Sequence, residues 1–259
     1  AAAAGAAAAA TMAACGRVPG WLRPAAVATF WSWCGWFVLL TLAPQWVSAE
    51  VFGGSGGQAA AGLRWASLGM ALQAGFCAFL GIKLLPDYVK RLGPNKAMKT
   101  TLLSQGLLQL SFIIPSMFSS WYIAKLLILL QLTALGAPWG LVHTAPYVLV
   151  GQRGDPSQNG RLQGQLNTYV VGAQLLVTAM TRPLAAALPA GRQPLCLLLL
   201  GALCALGGHL QLAAALGRAA AEEGPRPKKS NACPGGEERD RRPGGGASAA
   251  GRAREGGGG

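Results

Sequence analysis

Acidic side chains are what this sequence has least of. Nine occur in 259 residues, and between Ala1 and Gly217 only Glu50, Asp87 and Asp155 are acidic. Charged residues make up 12% of the chain against 52% hydrophobic, where a soluble domain carries about 25% charge. A surface so poor in charge cannot keep a body of this length dispersed in water, so lipid is the expected solvent. The cysteines are few and scattered, at 15, 34, 77, 196, 204 and 233. They form no C-x-x-C pair and have no histidine at ligand spacing, which argues against a metal site or a disulfide framework. Cys34, Cys77, Cys196 and Cys204 lie inside apolar runs and read as small packing residues. A Gly-rich phosphate cradle, a zinc motif and a nucleophile triad are all missing. Asp87, Asp155, Glu50, His143 and His209 are dispersed over different segments, so neither an enzyme nor a cofactor is expected.

What the chain does contain is base and long apolar runs. The net charge is +13, but nine of the 22 basic residues follow Gly217 and the others fall between apolar runs. That is the placement of membrane loops, not of a nucleic-acid surface. Residues 1–24 form an Ala-rich N-terminal segment, and 217–259 are rich in Gly, Pro, Arg and Glu with almost no aliphatic side chains. The latter cannot bury a core and is expected to be a disordered basic tail. Between them, 25–216 hold six apolar stretches near 26–47, 64–86, 98–119, 121–150, 163–188 and 194–216, each about the length a bilayer demands. The expected fold is all-α: a polytopic membrane protein with a six-helix transmembrane bundle. The fourth stretch is longer than needed and should tilt or bend, because Pro138 and Pro146 interrupt it.

Loop charge sets the expected orientation. With both termini on one side, that side holds Arg17, Arg23, Lys83, Lys90, Arg91, Lys96, Lys99, Arg153 and Arg161. The other side holds Arg64, Lys125, Arg182 and Arg192. The positive-inside rule then places both termini in the cytoplasm. Trp46, Trp121 and Tyr122 fall near outer segment ends, where amphipathic rings favour the membrane interface.

Three polar features exceed what hydropathy requires. His143 lies between Pro138 and Pro146, on a helix whose freed carbonyls need protein or a wet cavity to satisfy them. It belongs either to a kinked packing helix, bonded to a neighbour, or to a cavity wall facing solute. Gln163, Asn167 and Gln174 recur at offsets of four and seven, which puts them on one helix face. Amides both donate to and accept from hydroxyls, as a sugar site needs, and they equally bond neighbouring helices at about 0.6 kcal/mol per contact. Arg64 follows a Gly-rich loop and opens an apolar run, where an arginine snorkels to the interface without a partner or faces a solute.

Several stretches resemble the C-terminal half of the sucrose–proton symporters, in the glycoside-pentoside-hexuronide group of the major facilitator superfamily. Trp46-Val47-Ser48-Ala49-Glu50-Val51-Phe52-Gly53-Gly54 is similar to that family's D-W-x-G-x-x-V-[YF]-x-G. Gly62-Leu63-Arg64-Trp65-Ala66-Ser67-Leu68-Gly69 resembles its G-V-R-x-G-[AS]-L-G. Gly136-x-Pro138, then Pro146-Tyr147-x-Leu149, then Gly164-Gln165-Leu166-Asn167 with Gln174, follow its G-[IW]-[PA] … [IV]-P-[FY]-x-[LI] and G-x-L-N … [PG]-Q patterns. The resemblance covers about 28–216. It implies a six-helix C-terminal half of a major facilitator fold and transport of sucrose or a related glycoside by proton symport. Substrate-binding positions would be Arg64, His143, Gln163, Asn167 and Gln174, in a plasma or vacuolar membrane. The implied partners are a small sugar, protons, the bilayer and a second six-helix half, because solute binds between two such halves. The chain is then a piece of a longer product, a half that pairs with another, or a membrane interaction protein derived from a half-transporter. The departures bear on coupling. Where the family carries two acids before its tryptophan, Ala43-Pro44-Gln45-Trp46 has none, and Ala173 replaces a proline before Gln174. Glu50 is the one acid left near that helix end, which argues against proton coupling through this half alone.

Overall fold

The computed structural model describes residues 18–118, 121–189 and 191–222. The Ala-rich segment up to residue 17 and the tail from residue 223 lie outside the described residues. Each apolar stretch folds as helix. The helices are α1 (Arg23–Trp46), α2 (Gly56–Lys83), α3 (Leu85–Leu92), α4 (Pro94–Leu110), α5 (Ile113–Met117), α6 (Trp121–Ala134), α7 (Gly136–Arg153), α8 (Asn159–Ala186) and α9 (Gln193–Glu222). A π-helical turn, Val47–Val51, extends α1, and a 3-10 turn, Pro156–Gln158, precedes α8. No strand occurs among the described residues. Four helical spans are long and apolar enough to cross a bilayer: Arg23–Val51, Gly56–Lys83, Tyr122–Arg153 and Gln193–Glu222. The other two expected crossings are helical but fall short of that description. α4 has only 17 residues before a turn, and α8 carries Arg161, Gln163, Gln165, Asn167, Gln174 and Arg182 along its length.

Prolines set where the helices break. Pro138 cannot donate to the carbonyl one turn earlier, and the α6–α7 boundary falls at Leu135, although Leu135 N and Trp139 N still donate to the Gln131 and Leu135 carbonyls. Pro115 has the same effect on the third stretch, which divides at Ser111–Phe112. The Ser111 carbonyl accepts from Ile114 N at 2.9 Å, and also from Gln131 Nε2 of α6 at 2.8 Å. The same amide donates to Ser111 Oγ at 2.9 Å. Pro146, by contrast, sits buried within α7 without ending it. At the other end of the bundle, α9 runs to Glu222, six residues beyond the expected end at 216. Ala219, Ala220 and Ala221 are strong helix formers, and one glycine at 217 does not stop them, so residues 217–222 belong to the helix and not to the tail.

α1 is the axis of the bundle. It packs on α9 and α8 and also touches α2, α4 and α7. Its Phe30-Trp31-Ser32-Trp33-Cys34-Gly35-Trp36-Phe37 run is apolar all round, as a helix surrounded by protein should be. Trp36 and Trp46 are fully buried. Trp46 is therefore not an interfacial ring; it stacks at 5.1 Å on Phe112, a partner brought in by the turn after α4. Tyr122 is 73% exposed.

Small residues and amides hold α1 in place. At Gly35 an added Cβ would lie 2.7 Å from the Gly201 carbonyl oxygen of α9 and 2.9 Å from Gln105 Nε2 of α4. At Gly208 it would lie 2.9 Å from Trp31 Cβ. Within that close approach, Ser32 Oγ donates to Gln105 Oε1 at 2.6 Å, and Gln105 Nε2 donates back to the Ser32 carbonyl at 3.0 Å. One turn along, Gln109 Nε2 donates to the Gly35 carbonyl at 3.3 Å. Small side chains and interhelical hydrogen bonds are what joins helices where the surroundings are as apolar as the contact.

The outside is apolar too. Leu63, Leu68, Leu72, Phe79 and Ile82 are exposed on α2, Ile123, Leu126 and Leu130 on α6, and Leu200, Leu203 and Leu210 on α9. A monomer in water rarely shows contiguous apolar patches above a few hundred Å². This surface is compatible with a membrane protein.

The glycine contacts give a direct test. Gly35→Ala should lower the thermal unfolding midpoint in detergent, with an overpacking cost of roughly 1–3 kcal/mol. Gly207→Ala, where an added Cβ meets nothing within 4 Å, should hold or raise it, because alanine favours the helix by about 1 kcal/mol. Equal midpoints for both variants would show that the α1–α9 approach is not tight.

Candidate functional site

Four of the five positions expected to bind solute share one side of the bundle. On α8, Gln163, Asn167 and Gln174 are all exposed, as their helical spacing requires. The same line continues through Thr178 and Arg182. Gln165, two residues from Gln163, faces inward and is 8% exposed. On α7, His143 is exposed at the end of an aromatic group built with α1. Its ring centroid lies 4.6 Å from that of Trp139 and 4.9 Å from that of Trp33, both edge-on. Trp139 also meets Trp33 at 5.6 Å and Trp36 at 4.7 Å, and Trp33 meets Phe37 at 5.2 Å. All of these but the tilted Trp33–Phe37 pair are edge-to-face, a favoured aromatic geometry worth about 0.5–1.5 kcal/mol per pair beyond burial.

The two helices meet at Tyr147, whose hydroxyl donates to Asn167 Oδ1 at 3.2 Å. Trp139, His143 and Tyr147 follow each other at intervals of four, one above the next along α7. Gly136 and Gly140 allow the start of α7 close to α2. An added Cβ at Gly136 would lie 2.5 Å from the Gln73 carbonyl oxygen, and one at Gly140 would lie 3.2 Å from Cys77 Sγ.

Gln174 lines a cleft of about 380 Å³ between α1, α8 and the start of α9. Polar groups on its wall include Thr41, Gln45, Thr178, Arg182 and Gln193. Thr41 Oγ1 donates to the Phe37 carbonyl at 2.7 Å, which leaves its oxygen free to accept. The three glutamines and Arg182 supply donors, and Phe37 and Leu197 supply apolar wall. No carboxylate lines the cleft among the described residues. Its volume falls in the range of small-molecule sites, about 300–1,000 Å³. Chemically it can exchange many neutral hydrogen bonds at once and can neutralise an anion through Arg182. A cation finds no counter-charge on the lining.

Arg64 is not part of this group. It is exposed on α2, two residues after Gly62, and no hydrogen bond or ion pair holds it among the described residues. Gly62 itself packs on the π-turn, where an added Cβ would lie 2.7 Å from Ser48 Cα. Glu50, in that turn, caps α9: Leu195 N donates to its Oε1 at 3.1 Å, while Oε2 is buried without a hydrogen-bond partner. No three His, Cys, Asp or Glu side chains converge on a metal-sized site among the described residues.

Sequence reasoning missed the aromatic group and the α1 side of the cleft. Both carried a signal at intervals of four: Trp139, His143 and Tyr147 on α7, and Phe37, Thr41 and Gln45 on α1. The Tyr147–Asn167 bond can be measured by a double-mutant cycle. Tyr147→Phe and Asn167→Ala, singly and together, should show a coupling of about 0.6 kcal/mol in unfolding free energy. Strict additivity would mean the bond is not made. No protein-family model matches the chain, and no curated protein matches it.

Proposed function

We propose that this chain is a multi-pass membrane protein with both termini cytoplasmic, whose α1–α7–α8 side forms one wall of a passage for a sugar. The observation that carries this reading is the cleft lined by Thr41, Gln45, Gln174, Thr178, Arg182 and Gln193, which shares α1 with the Trp33–Trp139–His143 group. A sugar offers hydroxyls in every direction and apolar C–H faces between them. Amides answer the hydroxyls as both donor and acceptor, and indole rings cover the C–H faces. The lack of a carboxylate on the described lining favours a neutral polyol over an amine.

The motif resemblance directs the choice within that class to sucrose or a related glycoside. In this reading a second six-helix half supplies the facing wall, and solute binds between the two near mid-membrane. Proton symport then needs an acid on the facing wall, because Glu50 is engaged at the start of α9. Arg64, exposed on α2 and apart from the cleft, would contribute only through the facing half. The setting is a plasma or vacuolar membrane.

Uptake of labelled sucrose tests the proposal. Expressed with the N-terminal half of a sucrose symporter in cells that lack sucrose uptake, the chain should restore entry. Gln174→Ala should lower it about tenfold, the effect of losing one to two hydrogen bonds at about 1 kcal/mol each. Absence of entry in cells where both halves reach the membrane would overturn the reading.

A further inference from the structure

A second cleft, of about 310 Å³, opens between α2, α3, α4 and α7. It shares no lining residue with the first. Leu80, Leu84 and Leu85 give it an apolar floor, and Tyr88, Thr100 and Ser104 line one edge. Two of these hydroxyls bond each other, Tyr88 to Thr100, at 2.7 Å. The cleft thus has a long apolar body and a polar rim.

Base gathers at that rim. Lys96 is one turn before Thr100 on α4, and Arg91 is three residues after Tyr88 on α3, so each shares a helix face with a rim hydroxyl. Lys83 stands beside Leu84, and Lys90 beside Arg91; all four basic residues are exposed. Asp87 is the only acid from Leu80 to Ser104. Among these charges the surface still exposes large aliphatics: Ile82 at 76%, Leu84 at 55% and Leu92 at 38%. Bases interleaved with exposed aliphatics suit the headgroup boundary of a bilayer, where each finds its own solvent.

We propose that this cleft binds one anionic glycerophospholipid, with an acyl chain along Leu80, Leu84 and Leu85 and its phosphate against Arg91 and Lys96. Charge complementarity selects the headgroup, and the apolar body selects a lipid over a free phosphate. The proposal rests on the membrane-embedded reading and is independent of sugar transport.

The test uses the full chain, purified in a neutral detergent and studied by native mass spectrometry. Dioleoyl phosphatidylglycerol should be retained as a one-to-one complex, while dioleoyl phosphatidylcholine and glycerol phosphate should not. Arg91→Gln with Lys96→Gln should weaken retention about 30-fold, the effect of two bases removed from an anionic surface. Ala137→Leu, or Ser104→Leu on the opposite wall, fills the cleft, keeps every base and should also abolish the complex. Equal retention of the two lipids would overturn the proposal. So would binding of glycerol phosphate as tight as that of phosphatidylglycerol, or retention that survives both cleft-filling variants. A chain that stays in the aqueous fraction without detergent would instead overturn the membrane reading, and failed sucrose entry would leave the lipid site standing.

Discussion

The backbone approach of α1 to α9 at Gly35 and Gly201 is the contact from which the other placements follow. Apolar helices in apolar surroundings gain nothing from further burial, so what joins them is close packing and hydrogen bonding. Gly35 gives both. Its missing side chain admits the Gly201 carbonyl, and its own carbonyl accepts from Gln109. Ser32, one turn earlier, ties the same helix to α4 through Gln105. With that face fixed, the opposite face of α1 is set as well. Trp33 and Trp36 meet Trp139 of α7, and Phe37, Thr41 and Gln45 open into the cleft beside α8.

The prolines distribute function along this frame. Each removes one intrahelical donor. Gln131 adds a donor to the Ser111 carbonyl, beside the turn that carries Phe112 against Trp46. Next to Pro138, Trp139 packs edge-on against Trp36 of α1. The aromatic group and the polar line of α8 meet at a single hydrogen bond, from Tyr147 to Asn167. Sites of this kind need few polar groups in fixed places within an otherwise apolar wall.

That the apolar runs are helical was legible, and four of the six stretches are long and apolar enough to cross a bilayer. The face shared by Gln163, Asn167 and Gln174 was legible because helical spacing is local, and no partner is needed to read it. Trp46 was misread because position alone cannot separate an interfacial ring from one that a distant helix covers, and its partner Phe112 is remote in sequence. The end of α9 was misread because Gly217 looked like a stop, although the alanines after it outweigh one glycine. The Trp33–Trp139–His143 group required knowing which helices are neighbours, which a single sequence does not contain. Arg64 stood out in the sequence by resemblance, and the fold leaves it exposed and apart from the cleft.

The central claim is that one side of this bundle is wet and the rest is lipid-covered. Single cysteines at Gln163, Asn167 and Gln174, and at Leu126, Leu203 and Leu210, can be compared in a chain otherwise free of cysteine and embedded in lipid vesicles. A charged, water-soluble maleimide should label the three α8 positions rapidly and the three leucine positions hardly at all. Equal labelling of both sets, or labelling of the leucine positions alone, would contradict the account.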